Sequence, residues 1–191
     1  MNRQELKAKS RKAIEGKIWI LLAINLVAII AISAISFITY SAGAFLVAGG
    51  WTLSLAIIYL AIINKDKKPA IEDILLGFKN GNFGRSLVAY IRVLVFTTLW
   101  SLLLVIPGIV KGYAYSQIFF LLADDPKLDP AEAQKKSIAM MNGHKGELFV
   151  LHLSFIPWWL LVTITFGLAA IYVGPYFQAT LAQFYANLKK A

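Results

Sequence analysis

Apolar stretches of membrane-spanning size alternate along this chain with short polar connections rich in lysine and arginine. The first two stretches, 18–39 and 43–63, are separated only by Tyr40, Ser41 and Ala42, which predicts a tight hairpin. A polar segment occupies 64–85. From Ser86 to Ala123 the chain is apolar again, interrupted by Arg92, Pro107-Gly108 and Lys111-Gly112. Pro107 has no amide hydrogen and Gly108 tolerates positive φ, so a turn is predicted there, dividing the run into 86–107 and 110–123. A second polar segment, 124–147, leads to stretches 148–167 and 170–188. A bilayer-crossing helix needs roughly 20 apolar residues. The pattern therefore predicts an all-α integral membrane protein. It has one transmembrane domain over 1–191, with six transmembrane helices paired as three hairpins; the fourth span is short.

Each hairpin is preceded by a segment that reads as a short cytoplasmic amphipathic helix. Asp129-Pro130-Ala131-Glu132 is a capping box with proline at the first helical position, and Asn142-Gly143 is the stop. Ile71, Ile74, Leu75 and Phe78 recur at helical spacing behind Pro69, as in a helix lying at a membrane interface. Residues 4–15 predict a basic helix with Leu6 and Ile14 on its apolar side. One unit, helix then hairpin, is thus used three times. Glu5, Lys9, Ser10 and Gly16 recur as Glu132, Lys136, Ser137 and Gly143 at one constant offset, and the middle unit matches in layout only.

Charge fixes an orientation. Of 19 Lys and Arg, only Arg92 and Lys111 fall outside the N-terminal segment, 64–85, 124–147 and the C-terminal pair Lys189-Lys190. Excess Lys and Arg marks the cytoplasmic side, so both termini are expected there. The net charge of +9 then reads as topology and attraction to anionic lipid, with no nucleic-acid partner expected. A basic start before an apolar run also resembles a signal peptide, but 18–39 exceeds the usual h-region of about 7–15 residues. It reads as a retained first span. Composition agrees: 59% hydrophobic and 15% charged is more apolar than a soluble domain, which is about 45–50% and 25%. Without cysteine there is no disulfide framework.

Candidate chemistry is sparse. No Asp or Glu lies inside a predicted span, which argues against proton-coupled transport. No nucleophile elbow, phosphate loop or metal-ligand spacing is present, so no enzyme, cofactor or metal is expected. Asn25, Arg92, Gln117, His152, Gln178 and Gln183 lie within spans and form a candidate polar cavity. The plainer reading gives each a bond across a helix interface, with Arg92 snorkelling to headgroups beside Arg85. Asp124, Asp125 and Asp129 read as a span exit and a helix cap. Lys7, Lys9, Arg11 and Lys12 crowd onto a short helix before the first span and are the candidates for anionic headgroup contact. Trp100, Trp158 and Trp159 are expected deeper than an aromatic belt. A homo-oligomer or a membrane-protein partner stays open.

The run Ile106-Pro107-Gly108-Ile109, Tyr113-Ala114-Tyr115-Ser116 and Leu122-Ala123-Asp124-Asp125-Pro126 carries a resemblance. So do Ala133, Ser137, Met141, Gly143-His144-Lys145, Phe149, Leu151 to Phe155, Trp158, Pro175-Tyr176, Phe184-Tyr185 and the opening 2–7. The chain resembles small bacterial integral membrane proteins grouped as a domain of unknown function, number nine-seven-five. That family is distantly similar to the membrane region of some glycerophosphodiester phosphodiesterases. The resemblance implies a six-helix protein of the bacterial plasma membrane and brings no catalytic residue.

The function expected is a non-enzymatic module that meets lipid or a protein partner through its basic cytoplasmic face. The alternative is a small transporter or channel with a polar cavity between spans one, four and six.

Overall fold

The computed structural model describes residues 3–27, 42–65, 67–79, 81–103 and 105–190, and the regular structure among them is entirely helical. In chain order the helices are α1 (Arg3–Ile14), α2 (Ile18–Val27), α3 (Ala42–Lys65), a 3-10 turn (Ile71–Leu75), α4 (Asn82–Leu103), α5 (Val105–Tyr115), α6 (Ile118–Asp124), α7 (Pro130–Met140), α8 (Lys145–Leu153), α9 (Ile156–Ile164) and α10 (Ala170–Leu188). Three stretches are long and apolar enough to cross a membrane: Val47–Asn64 in α3, Asn82–Leu102 in α4, and Lys145–Ile164 through α8 and α9. Much of the first expected span, and the turn at Tyr40 and Ser41, lie outside the described residues.

One local device recurs three times. Gly16, Gly81 and Gly143 adopt positive φ (74°, 76° and 83°) just before the apolar helices α2, α4 and α8. A glycine in that conformation ends one element and redirects the chain without a Cβ clash. Burial repeats with it. Leu6, Ser10 and Ile14 are buried along α1, and Ala133, Ser137 and Met141 are buried at the matching positions of α7 and its C-cap.

Each polar segment docks on apolar helices of another unit. α1 lies along α10, α7 packs across α4, α5 and α6, and the 3-10 turn seats on α3. The last contact is close. The Gly77 N–H donates to Ser54 Oγ at 2.8 Å, and a Cβ on Gly77 would collide with the Gly50 carbonyl oxygen. The core therefore sits among α1, the C-terminal parts of α3 and α10, α6 and α7. Leu53, Tyr59, Ile62, Ile118, Tyr176, Phe184 and Tyr185 are all buried there.

The break between the third and fourth apolar stretches falls earlier than Pro107-Gly108. α5 starts at Val105, so Pro107 occupies its first turn, where a missing amide hydrogen is harmless. Gly108 instead lets two helices approach, since a Cβ there would meet Ser101 of α4. A second break, between α5 and α6, divides the fourth stretch. Ser137 of α7 fills that break: its Oγ donates to the Ala114 carbonyl at 2.7 Å and accepts from the Gln117 N–H at 3.2 Å. Asp129 caps α7 by accepting from the Ala131 N–H at 2.8 Å. The segment behind Pro69 forms only a 3-10 turn, with Ile71 and Leu75 exposed.

Candidate membrane-binding surface

Helix α1 is built as a strap. Leu6, Ser10 and Ile14, four residues apart, make one narrow buried stripe, and Ser10 Oγ donates back to the Leu6 carbonyl at 2.9 Å. Lys7, half-buried, and Arg11, exposed, follow Leu6 and Ser10 in sequence and flank the stripe. Lys7 Nζ donates to the Ser154 carbonyl at 2.9 Å and lies 4.2 Å from the centre of the Phe155 ring. The Arg11 guanidinium lies 5.3 Å from the Trp158 ring centre and 5.0 Å from that of Tyr176. Contacts of this kind contribute about 0.5–2 kcal/mol each. Burial, then the charges of Arg11 and Arg3, push the Lys7 ammonium pKa below its ordinary value. Lys9 pairs with Glu5 at 2.7 Å, which lowers the Glu5 carboxyl pKa, and Lys12 is exposed. Of the four residues expected at headgroups, Lys9, Arg11 and Lys12 are exposed and Lys7 is half-buried, and Lys7 and Arg11 also touch the rings beside the strap.

The six residues proposed from sequence for one polar cavity sit in separate places, and among the described residues no hydrogen bond joins any two of them. Asn25 Nδ2 donates to the Leu21 carbonyl at 2.7 Å within α2. Arg92 Nε donates to Gln134 Oε1 of α7 at 2.8 Å. Gln117 Nε2 donates to Ser116 Oγ at 2.8 Å, while Gln117 Oε1 is buried without a partner. His152 Nδ1 lies 3.1 Å from the Tyr113 hydroxyl, and its Nε2 is buried without a partner. Gln183 Nε2 donates to Asn187 Oδ1 at 3.3 Å, and Gln178 is half-buried on α10. The acidic residues are engaged locally. Asp124 accepts from the Tyr185 hydroxyl at 3.1 Å and pairs with Lys189, and Asp125 Oδ1 accepts from the Lys127 N–H at 2.9 Å.

Among the described residues, much of the exposed apolar surface lies on α4–α5 and α9–α10, with a further patch at Trp19, Leu26 and Val27 of α2. On α4–α5 it includes Leu99, Leu102 (78% exposed), Ile106 (74%) and Ile109; on α9–α10 it includes Leu160, Ile164, Phe166 (98%) and Leu168. The α9–α10 turn has no charged residue and closes its own backbone. The Gly167 N–H donates to the Val162 carbonyl at 2.8 Å, the Leu168 N–H to the Thr165 carbonyl at 3.1 Å, and the Ala169 N–H to Thr165 Oγ1 at 3.0 Å. Thr163 and Thr165 hydroxyls donate to the carbonyls of Trp159 and Leu161 at 3.1 and 2.8 Å. Satisfied backbone beneath apolar side chains is what hydrocarbon demands, because an open N–H there finds no water. The strap beside this hairpin has the opposite character. Each Lys or Arg at a bilayer centre costs about 2.5–3.5 kcal/mol on insertion scales.

Sequence reasoning missed the aromatic seat of Arg11, formed by Trp158 and Tyr176. The Ser10–Ser137 echo signalled it indirectly, since both serines mark where a polar helix is pressed against a hairpin.

A family model described as "Protein of unknown function (DUF975)" matches the chain over residues 1–111 and again over 93–191. No curated protein matches, and no solved structure matches.

Proposed function

We propose that this chain, which belongs to the family of unknown function just described, is a non-enzymatic membrane-embedded module that binds anionic lipid through its basic face. It resides in a bacterial plasma membrane. Its apolar segments pair as three hairpins that enter from the cytoplasmic side, where both termini lie. One observation carries the reading: the surface is split. Hairpins α4–α5 and α9–α10 expose large apolar side chains, while Lys9, Lys12, Lys67, Lys135, Lys136 and Lys190 stand exposed elsewhere on the molecule. Each basic residue near an anionic surface contributes about 1 kcal/mol.

Native mass spectrometry of the full chain released from its membrane tests this. Anionic phospholipid is expected to stay bound in preference to zwitterionic lipid, and the preference should fall when Lys9, Lys12, Lys135 and Lys136 are changed to Gln. Equal retention of both lipid classes, or a preference that the variant keeps, refutes the reading. A second reading, a small transporter or channel, draws on Gln117 Oε1 and His152 Nε2, two of the buried polar atoms without partners among the described residues. It predicts solute flux into proteoliposomes that Gln117→Leu abolishes.

A further inference from the structure

We infer that hairpins α4–α5 and α9–α10 are wedges one leaflet deep, entering and leaving the membrane on the same face without crossing it. The inference rests on the membrane-embedded reading above and replaces full crossings with shallow insertion for these two hairpins. The polar helices set the depth. Lys7 bonds the Ser154 carbonyl and Arg11 covers Trp158 and Tyr176, with Lys9 and Lys12 exposed on the same strap. Outward-facing cations do not settle in hydrocarbon, so Ser154, Trp158 and Tyr176 lie at headgroup level. From Trp158 to the turn at Phe166 the chain then has only about 12 Å to run, at 1.5 Å per residue. The half-buried amphipathic rings of Trp158 and Tyr172 fit that interfacial level, packed over the buried Tyr176.

Helix α7 gives the same answer for the other hairpin. Gln134 holds Arg92, Ser137 holds the Ala114 carbonyl, and Lys135 and Lys136 between them are exposed. Arg92 and Ala114 are therefore also at headgroup level, and α4 extends only about 16 Å beyond Arg92. The hydrocarbon core is about 30 Å thick, so both hairpins end near its middle. Lys111, the charge nearest the α4–α5 turn, rests its ammonium 4.7 Å from the Trp100 ring centre, which shields it below the headgroups. By length alone Asn82–Leu102 and Lys145–Ile164 reach across a bilayer, but Arg92 in the first is bonded to Gln134 of α7 and Ser154 in the second to Lys7 of α1, which holds those levels beside polar helices.

The absence of cysteine makes the test clean. Single variants Leu102→Cys, Phe166→Cys and Lys136→Cys of the full chain are placed in proteoliposomes and exposed to a membrane-impermeant maleimide on either side. Lys136→Cys should react from one side. The two turn variants should react from neither until detergent dissolves the bilayer. A fluorophore at either turn should be quenched several-fold more by lipids brominated near the acyl end than by quenchers at the headgroup. Labelling of Phe166→Cys or Leu102→Cys from the face opposite Lys136→Cys means a crossing and overturns the wedge while leaving membrane embedding intact. Labelling from the same face as Lys136→Cys, without detergent, means the turns are in water, and both readings fall.

Discussion

Leu6→Ala tests whether the strap is held as described. Leu6 is 2% exposed at one end of the buried stripe of α1. Truncating a buried leucine costs about 2–5 kcal/mol, the methyl groups and the cavity together. Helix α1 has 12 residues, so it is marginal as an isolated helix in water, where about 12–15 are needed. What remains to hold it is the burial of Ile14, about 1.5–3 kcal/mol, and the ring contacts of Lys7 and Arg11 at about 0.5–2 kcal/mol each. The loss is comparable with the remainder, so α1 should open locally. At 1.4 kcal/mol per tenfold, even 2 kcal/mol raises the open population about 30-fold. Hydrogen exchange of the full chain in lipid nanodiscs, read by mass spectrometry, should show α1 amides exchanging at least about 30-fold faster, while the C-terminal half of α10 stays protected. Lys12→Ala, on the outward side, should change exchange little. Unchanged protection of α1 in Leu6→Ala, or equal loss in Lys12→Ala, refutes the docking.

Ser137→Ala removes the hydroxyl that serves both the Ala114 carbonyl and the Gln117 N–H. With those groups left buried it should cost about 1–3 kcal/mol, seen as a lower melting temperature in detergent. Gly77→Ala should cost at least the about 1–3 kcal/mol of ordinary overpacking, because its Cβ meets backbone that cannot swing away, and the folded fraction on size-exclusion chromatography should drop. Asp129→Ala loses the cap on α7 and should speed amide exchange over 131–136, matching a local cost of about 0.5–2 kcal/mol.

Much of this architecture is legible in the chain because its signals are local. Asp129-Pro130 announces the start of α7, Leu6 and Ile14 announce the buried side of α1, and the matched Gly16 and Gly143 announce a reused turn. Hydropathy does not reveal which apolar residues face protein and which face lipid. Leu122, Phe184 and Tyr185 read as membrane-spanning but are packed in the core with α1, α3 and α7, whereas Leu102 and Phe166 are exposed. Among the runs long enough to cross, only Val47–Asn64 is buried over about half its length. Pro107-Gly108 misplaced a turn because proline is as welcome in a helix's first turn as in a loop. The ring contacts of Lys7 and Arg11 were hidden for a similar reason: a basic residue's type says nothing of which helix face an aromatic partner will cover. The Arg92–Gln134 and Ser137–Ala114 contacts join positions far apart in sequence, and no spacing rule reaches them.

The central claim is that the basic helices and both termini lie on one face, with every hairpin pointing away from it. Single cysteines in place of Lys9, Lys67, Lys136 and Lys190, labelled with an impermeant maleimide in intact cells and in inverted vesicles, test it directly. All four should react only in inverted vesicles, where the cytoplasmic face is outward. Reaction of any one of them in intact cells, with the other three protected, contradicts the account.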